Sequence, residues 1–278
     1  MFRWYLNTIG TWGETVWTHL EAAMRGRTSI LLFHYLLGTS LAMDCREVPG
    51  RLKQIDAGVG QVFGVNENDR IYTLYRGNWT QLPGALKHVT VGPSGVWGVN
   101  QNDRIYKLVS ADWALVGGQL KQVDAGGDQF VAGVNRNDNV YCLGQDATVG
   151  YKGPGSPIPW TGITGRLMYY SCGPNSCWGV NSAQNIYVRK GVTPAVCQGN
   201  DWRHIAGKLV MIEVGTDGSV YGVNAVGDVY RRDGITAANP AGTDWSLTSP
   251  CTKSKHVSYD LGHLWVVTTD GRILDCVV

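Results

Sequence analysis

Two residue types, asparagine and tryptophan, recur together along the chain and could bind a polar ring compound. An indole offers a flat apolar face on which the C–H groups of a sugar ring can stack, and an amide offers a donor and an acceptor for sugar hydroxyls. Each asparagine ends a Gly-Val-Asn tripeptide, and a tryptophan follows it in the same segment. The candidate carbohydrate-binding residues are therefore Asn66, Asn100, Asn135, Asn181 and Asn224, with Trp79, Trp113, Trp160, Trp202 and Trp245.

The same residues also have a structural interpretation, and the sequence leaves it open. Large aromatic side chains at regular positions often pack between neighbouring repeats. Asparagine side chains often hold a tight turn between two strands by bonding to the backbone. Sugar binding and packing therefore both remain interpretations of this pattern.

Catalytic and metal-binding residues are not expected. Glycan hydrolysis needs a pair of carboxyl groups at a defined separation, whereas the acids here are scattered about one per repeat. Asp56 and Asp124 share one register, and the other repeats place different residues there, namely Thr90, Ser171, Glu213 and Tyr259. The cysteines form no pair of Cys-x-x-Cys motifs, and no histidine lies at zinc-ligand spacing from them. We therefore expect neither an enzyme nor a bound metal or cofactor.

A repeated segment positions the candidate residues. Gly-Val-Asn recurs at intervals of 34 to 46 residues, and each copy follows a short alternating segment that ends in glycine, such as residues 52–58. An Ile-Tyr or Val-Tyr pair comes next, and glycine, Asn-Asp or Pro-Gly breaks separate four short β-type runs in each copy. Four strands in a unit of this length predict one blade of an all-β propeller, since a β-solenoid would have shorter coils.

A sixth, degraded copy ends the chain and lacks its last strand. Residues 254–260 replace the first segment, and residues 265–268 replace the Gly-Val-Asn strand. No tryptophan strand follows before the C-terminus, whereas residues 45–50 match the end of the first repeat at residues 79–84. The sequence therefore predicts a six-bladed β-propeller of four-stranded blades, in which the N-terminal strand completes the last blade and removes an exposed edge.

The cysteines predict disulfide bonds and an oxidising compartment. All seven lie after residue 43, and six of them form plausible pairs near the chain ends, across one hairpin loop and between neighbouring insertions. The expected disulfides are Cys45–Cys276, Cys172–Cys177 and Cys142–Cys197. Cys251 is left over, so it is either a free thiol or a link between two chains of a homodimer.

The first 43 residues differ from the rest. A basic segment at 24–27, an apolar run at 30–37 and small residues at 40–42 follow the order of a secretory signal peptide that starts at Met24. Residues 1–43 are therefore predicted to be an upstream extension plus a signal peptide, and residues 44–278 the propeller. The apolar run is shorter than the ~20 residues that span a bilayer, so no membrane span is expected.

Two further observations bear on secretion and on partners. Asn78 begins the sequence Asn-Trp-Thr, an N-glycosylation acceptor that agrees with secretion. The net charge of +2 gives no reason to expect a nucleic-acid partner, because such binding depends on clustered Lys and Arg.

The repeat resembles a known family. The pattern Trp-x-x-(Leu/Ile)-x-Gly-x-Leu-Lys-x-(Ile/Val)-x-x-Gly, then Gly-Val-Asn, then Ile-Tyr, resembles the tectonin repeat, and stretches such as residues 120–129 and 169–181 are most similar to the fish-egg lectins. The resemblance covers residues 44–278. It implies a secreted lectin that binds N-acetylglucosamine, chitin-like oligosaccharides and bacterial surface polysaccharides, with a role in egg or innate defence.

The last repeat departs from the family pattern. Family members carry an even set of cysteines, and here Thr268 stands where a partner for Cys251 would be expected. A propeller scaffold that binds proteins and has no lectin activity is the alternative function. Competition by a free sugar would separate the two.

Overall fold

The computed structural model describes residues 43–151, 153–248, 250 and 252–278 of the chain, which belong to one compact unit. These residues form six antiparallel sheets of four strands each, so the prediction of an all-β, six-bladed propeller is confirmed. The predicted leader, up to residue 42, lies outside the described residues, and so does Cys251. Within the described ranges, no helix is both long and apolar enough to cross a bilayer.

Strand β1 (Asp44–Val48) opens the fold, and the next twelve strands build blades 1 to 3. Blade 1 comprises β2 (Gln54–Gly58), β3 (Gln61–Val65), β4 (Ile71–Tyr75) and β5 (Asn78–Leu82). Blade 2 comprises β6 (His88–Gly92), β7 (Gly95–Val99), β8 (Arg104–Val109) and β9 (Asp112–Gln119). Blade 3 comprises β10 (Gln122–Asp124), β11 (Val131–Val134), β12 (Asn139–Leu143) and β13 (Thr161–Arg166), with helix α1 (Gln145–Val149) between the last two strands.

The remaining strands build blades 4 to 6. Blade 4 comprises β14 (Tyr169–Cys172), β15 (Cys177–Val180), β16 (Ile186–Lys190) and β17 (Asp201–Ile205). Blade 5 comprises β18 (Met211–Val214), β19 (Val220–Val223), β20 (Val229–Arg232) and β21 (Trp245–Thr248). Blade 6 comprises β22 (Ser254–Asp260), β23 (His263–Thr268) and β24 (Ile273–Val277), and β1 is its fourth strand.

The first strand of each blade lies at the centre of the propeller and the fourth at its rim. First strands of neighbouring blades contact each other in a closed cycle, from β2 through β6, β10, β14 and β18 to β22 and back to β2. Every residue of β2 and β6 is buried, whereas β5 at the rim is exposed or half-buried. The apolar core therefore lies between the blades, as in other propellers.

The turn between the second and third strands is tied to the linker that enters the next blade. Asp69, Asp103 and Asp138 sit in this turn with φ of +61°, +62° and +65°, a conformation that Asp tolerates better than most residues. The linker N–H of Leu86 donates to the carbonyl oxygen of Asp69 at 3.0 Å. The same bond recurs at the other five blade boundaries, from Leu120 to Asp103, Leu167 to Asp138, Leu209 to Gln184, Ser254 to Gly227 and Leu52 to Gly271.

Both chain ends build blade 6, as the sequence predicts. Strand β1 pairs antiparallel with β24, and Cys45 lies directly opposite Cys276. Those two residues are joined by a disulfide with an S–S distance of 2.04 Å. The other predicted disulfides, Cys142–Cys197 and Cys172–Cys177, are also present, so all three pairings are confirmed.

A ring of polar side chains surrounds the centre, with acids in blades 1, 3 and 5 and hydroxyls in the blades between. Its members share one register of the first strands: Asp56, Thr90, Asp124, Ser171, Glu213 and Ser258. The sequence-based assignment of Tyr259 to this register is wrong. Ser258 pairs with Trp265 as Asp56 pairs with Phe63, and a shift of one residue moves a side chain to the other face of a strand. Tyr259 instead stacks on Tyr221, with ring centroids 5.1 Å apart.

Candidate functional site

Two cavities of similar composition lie between neighbouring blades. The blade 6–1 pocket has a volume of about 270 Å³ and is lined by Gly50, Arg51, Leu52, Asn66, Tyr72, Trp79 and Ile273. The blade 4–5 pocket has a volume of about 210 Å³ and is lined by Gly207, Lys208, Leu209, Asn224, Tyr230, Trp245 and Ile186. The two sets correspond position by position in the repeat. Each set combines the linker and third strand of one blade with three side chains of the next blade.

The predicted asparagines and tryptophans of blades 1 and 5 therefore meet in one cavity each. The three central blades carry the same residues at the same positions, as the triplets Asn100–Tyr106–Trp113, Asn135–Tyr141–Trp160 and Asn181–Tyr187–Trp202. Blade 6 differs, because Thr268 and Leu274 replace the asparagine and the tyrosine and β1 brings no tryptophan. The repeat thus offers five equivalent positions and one exception.

Each asparagine holds the turn that follows it. In blade 1, Oδ1 of Asn66 accepts from the backbone N–H groups of Asn68 at 3.0 Å and Arg70 at 2.9 Å. In blade 5, Oδ1 of Asn224 accepts from Val226 at 3.1 Å and Asp228 at 2.8 Å. All five asparagines are half-buried and repeat this arrangement. The turn-forming role is therefore real. The amide nitrogen also has a partner within the blade, since Asn66 donates to the Tyr72 hydroxyl at 3.4 Å and Asn224 donates to Asp228 at 3.2 Å, which leaves its second N–H for a ligand.

Each tryptophan packs across the blade boundary. The indole Nε1–H of Trp245 donates to the linker carbonyl oxygen of Ala206 at 3.0 Å, and three other tryptophans donate likewise, Trp113 to Pro83, Trp160 to Gly117 and Trp202 to Thr164. Trp79 differs, because its Nε1 is buried without an acceptor among the described residues. All five tryptophans are only half-buried, and Trp79 and Trp245 combine inter-blade packing with lining a pocket.

A glycine with positive φ lies under each ring. Gly118 has a φ of +100°, and a Cβ built on it would lie 2.8 Å from Nε1 of Trp160. Gly50, Gly84, Gly165 and Gly207 repeat the arrangement, with built Cβ atoms 3.2 to 3.4 Å from the nearest side-chain atom. Both the backbone conformation and the space under the indole therefore require glycine at this position.

Replacing Gly118 with alanine should lower the free energy of unfolding by about 1–3 kcal/mol, because the new Cβ is strained at this φ and displaces Trp160. Urea unfolding followed by tryptophan fluorescence measures the loss. Gly117→Ala is the matched control, since a Cβ there meets nothing within 4 Å and should change stability by less than about 0.5 kcal/mol. Equal losses in the two variants would contradict this role for Gly118.

Sequence reasoning missed two contributors to the pockets. The tyrosines Tyr72 and Tyr230 belong to the recurring Ile-Tyr and Val-Tyr pairs, which were visible in the sequence but indicated only a strand. The linker cations Arg51 and Lys208 carried no signal. Lys208 Nζ donates to the carbonyl oxygen of Ala183 at 2.8 Å and to Oδ1 of Asn185 at 2.6 Å, so its charge is already partnered.

The central ring holds ionisable groups in a protonation state set by burial. Burial raises the pKa of Asp56 to about 6 and, together with the nearby Asp56 carboxyl, that of Asp124 to about 8. Burial likewise raises the pKa of Glu213 well above its usual value and lowers the pKa of His88 to about 4. Among the described residues, no cluster of three or more His, Cys, Asp or Glu side chains has metal-binding geometry.

Hydrogen bonds within the ring also indicate that a buried carboxyl group is protonated. Oγ of Ser171 lies 3.1 Å from Oδ2 of Asp124 and 2.8 Å from Oε2 of Glu213, and it accepts from the N–H of Val214 at 3.0 Å. A hydroxyl has a single hydrogen to donate. Both carboxyl contacts can be hydrogen bonds only if Asp124 or Glu213 carries a proton, so at least one of the two is neutral.

The predicted glycosylation acceptor lies at the opposite face from the pockets. Asn78 is exposed at the start of β5, next to the hairpin turn that joins β4 to β5. The pockets are built from linkers and from turns between second and third strands, which lie at the other end of each blade. A glycan on Asn78 would therefore leave the pockets accessible.

Comparison with known proteins gives one family and one close relative. The tectonin domain family matches residues 51–269. The fish-egg lectin of Cyprinus carpio is 53% identical over 238 residues, which cover 85% of this chain and 99% of that protein.

Several solved structures share the architecture at low sequence identity. YCF48 from Cyanidioschyzon merolae has a TM-score of 0.53 at 12% identity, covering 84% of this chain and 98% of that one. Virginiamycin B lyase from Staphylococcus aureus has a TM-score of 0.53 at 13% identity, with coverages of 85% and 99%. Prp20p from Saccharomyces cerevisiae has a TM-score of 0.52 at 12% identity, with coverages of 79% and 70%. At such identities the likeness concerns the fold alone.

Proposed function

The chain belongs to the tectonin family, and we propose that it is a secreted lectin that binds N-acetylglucosamine-type sugars and microbial surface glycans, with a role in egg or innate defence. The main support is the correspondence between the blade 6–1 and blade 4–5 pockets. Seven lining positions recur in both cavities, each with an indole, a phenol and an amide. This combination suits a sugar ring, which presents C–H groups on its faces and hydroxyls at its edge.

Repetition strengthens such a function. The asparagine, tyrosine and tryptophan recur at five blade boundaries, so one molecule can engage a repetitive glycan surface through several weak sites. Linked sites of this kind gain avidity of about 10²-fold or more over one site. A multivalent binder of chitin-like oligosaccharides or bacterial surface polysaccharide is therefore the form of lectin that the repeat favours.

Binding without catalysis is the activity that we propose. Neither pocket lining contains an aspartate or a glutamate, and glycoside hydrolysis requires two such groups around the scissile bond. Secretion is proposed on the three disulfides, since such bonds persist in oxidising compartments.

The proposed function is tested by expressing the full chain in eukaryotic cells. We expect the protein in the medium with an N-terminus near Asp44, retained on an N-acetylglucosamine or chitin column and eluted by free N-acetylglucosamine. Folded protein that is not retained on any glycan matrix would contradict the lectin assignment. In that case a propeller scaffold that binds proteins becomes the better function.

Truncating Trp79 and Trp245 together to alanine should weaken apparent affinity for chitin by about ten-fold, because two of the five repeated sites lose their stacking surface. Tyr75→Ala is the matched control, since this aromatic residue is 64% exposed and lies near the other end of its blade. Affinity is measured by the concentration of N-acetylglucosamine that elutes each variant, after circular dichroism confirms the fold. Unchanged elution of the folded double variant would exclude these two tryptophans from the sites.

A further inference from the structure

A third cavity lies on the opposite face of the propeller from the inter-blade pockets. Its volume is about 280 Å³, as large as theirs. It is built from the turn between β18 and β19, the connection between β20 and β21, and the hairpin turn of blade 4. Its lining is predominantly polar and includes Asn175, Asp217, Ser219, Arg231, Arg232 and Thr236.

One of the two arginines has a role in the fold. Nε of Arg232 donates to the carbonyl oxygen of Ala241 at 2.9 Å, and its guanidinium lies 5.1 Å from the ring centroid of Trp245. Blade 4 repeats this arrangement with Arg189, which donates to Gln198 and lies over Trp202. Arg232 is buried and forms no ion pair with any described residue within 4.0 Å. Burial lowers the pKa of this guanidinium, and the nearby Asp244 and Asp233 carboxylates oppose that shift without forming a direct ion pair with it.

Arg231 has no comparable structural role. Its side chain is exposed and forms no hydrogen bond or ion pair with any residue that the structure describes. The corresponding position of the third strand is occupied by unrelated residues in the other blades, namely Thr73, Lys107, Cys142, Val188 and Asp275. Blade 5 alone among these described strands places two adjacent arginines at this point.

The other walls of the cavity are rigid and offer further polar groups. The Cys172–Cys177 disulfide closes the blade 4 hairpin that presents Asn175, and this half-buried amide has no hydrogen-bond partner among the described residues. The Asp217 carboxylate is occupied by its own turn, where it accepts from the N–H of Ser219 at 2.7 Å and from its hydroxyl at 3.1 Å. The groups left for a ligand are therefore two guanidiniums and an amide.

We propose that this cavity, the oxyanion pocket, binds the carboxylate or phosphate group of an acidic sugar. Guanidinium groups present paired N–H donors that match the oxygens of carboxylate and phosphate. An anion beside Arg232 would give this buried guanidinium the direct partner that Asp244 and Asp233 do not supply, since neither forms an ion pair with it within 4.0 Å. The Asn175 amide can bond to a neighbouring hydroxyl or acetamide, which adds preference for a sugar over a free anion. The site differs in face, residues and ligand charge from the inter-blade pockets.

The test uses titration calorimetry of the full secreted protein with four probes: the methyl glycoside of N-acetylneuraminic acid, glucose 6-phosphate, neutral methyl glucoside and inorganic phosphate. We expect at least one acidic sugar to bind and the neutral sugar not to bind at this site. Arg231→Gln should weaken that binding at least ten-fold. Arg76→Gln is the matched control, because it removes an exposed arginine from the corresponding connection of blade 1 and should leave binding unchanged.

Two results would overturn the proposal. One is binding of the acidic sugar that is equal in the wild type and in Arg231→Gln, and the other is no binding of any acidic sugar, whether or not inorganic phosphate binds. Retention of Arg231→Gln on the N-acetylglucosamine column is measured in parallel and should match the wild type. A loss of the oxyanion pocket is thereby distinguished from a failure of the proposed lectin function, which would show as no retention of either protein.

Discussion

Replacing both Cys45 and Cys276 with alanine should lower the free energy of unfolding by about 5 kcal/mol, the largest loss that we expect from any single disulfide. The bond joins residues separated by 231 positions, so its removal frees almost the whole described chain in the unfolded state. Chain entropy grows with the logarithm of loop length, and a loop of this size therefore approaches the upper end of disulfide effects. Guanidinium unfolding of the full chain, monitored by circular dichroism, measures the change.

The Cys172–Cys177 bond provides the matched control. It links residues only five positions apart, so its removal should cost about 2 kcal/mol by the same argument. Alanine in both cysteines of each pair avoids a free thiol that could exchange with Cys251. Equal losses for the two pairs would mean that local packing of the sulfur atoms outweighs the closure of the ring.

Stability of the protein should fall as pH rises from 7 to 8.5, because the central ring keeps protons that the unfolded chain releases. The pKa of Asp124 is raised by burial from 3.8 to about 8. Its contribution to stability is therefore complete below pH ~4 and is lost as pH rises through ~8. Each carboxyl that stays protonated only in the folded state gives a slope of about 1.4 kcal/mol per pH unit.

Two buried histidines of the central strands, His88 in β6 and His256 in β22, do not mask this effect in the chosen window. Burial lowers the pKa of His88 to about 4 and that of His256 to about 3. Both are neutral above pH ~6.5 in the folded and unfolded states, so their contribution is lost only as pH falls from there toward 4 and 3. The alkaline slope therefore reports the carboxyl groups.

Urea unfolding at several pH values, in buffer with a chelator, measures this slope. Asp124→Asn should flatten it, because the amide does not titrate and can still accept from the N–H of Cys172, which lies 2.9 Å from Oδ1 of the aspartate. Asp112→Asn removes an exposed carboxylate outside the ring and should leave the slope as in the wild type. Wild-type stability that stays constant or rises over this window would show that the ring carboxyls are ionised.

The architecture was predictable from the sequence because the same strand and turn pattern recurs in every blade. Five Gly-Val-Asn copies indicate the blades, and the missing fourth strand after residue 273 indicates that β1 closes the last blade. The cysteine pairs followed from positions relative to these strands. Within the candidate site, the asparagine and tryptophan of one blade were expected to act together, and the structure places them in one cavity in blades 1 and 5.

Other features depend on contacts between distant strands and could not be predicted. Ser258, and not Tyr259, belongs to the central ring because the register of β22 differs by one residue from the one expected. The pairing of β22 with β23 is irregular between Ser254 and His256. The hydrogen bonds from Ser171 to Asp124 and Glu213 join three different blades, so no local sequence pattern could predict them. The oxyanion pocket escaped notice because an insertion and two separate hairpins form it, and only folding brings Asn175 near Arg231.

Blade 6 combines a strand from each end of the described chain, and this limits the order in which the strands can pair. The partner of β1 is β24, which follows it in the sequence by more than 200 residues, so β1 remains without its partner until β24 has been synthesised. Blades 1 to 5 each consist of four consecutive strands, whereas the edge that receives β1 belongs to β24 and is formed only after them. Unpaired edges of this kind attract other chains. Closure of the ring therefore has to follow the formation of β24, and until then the edges of β1 and of blade 6 are the parts of the fold most open to association with other chains.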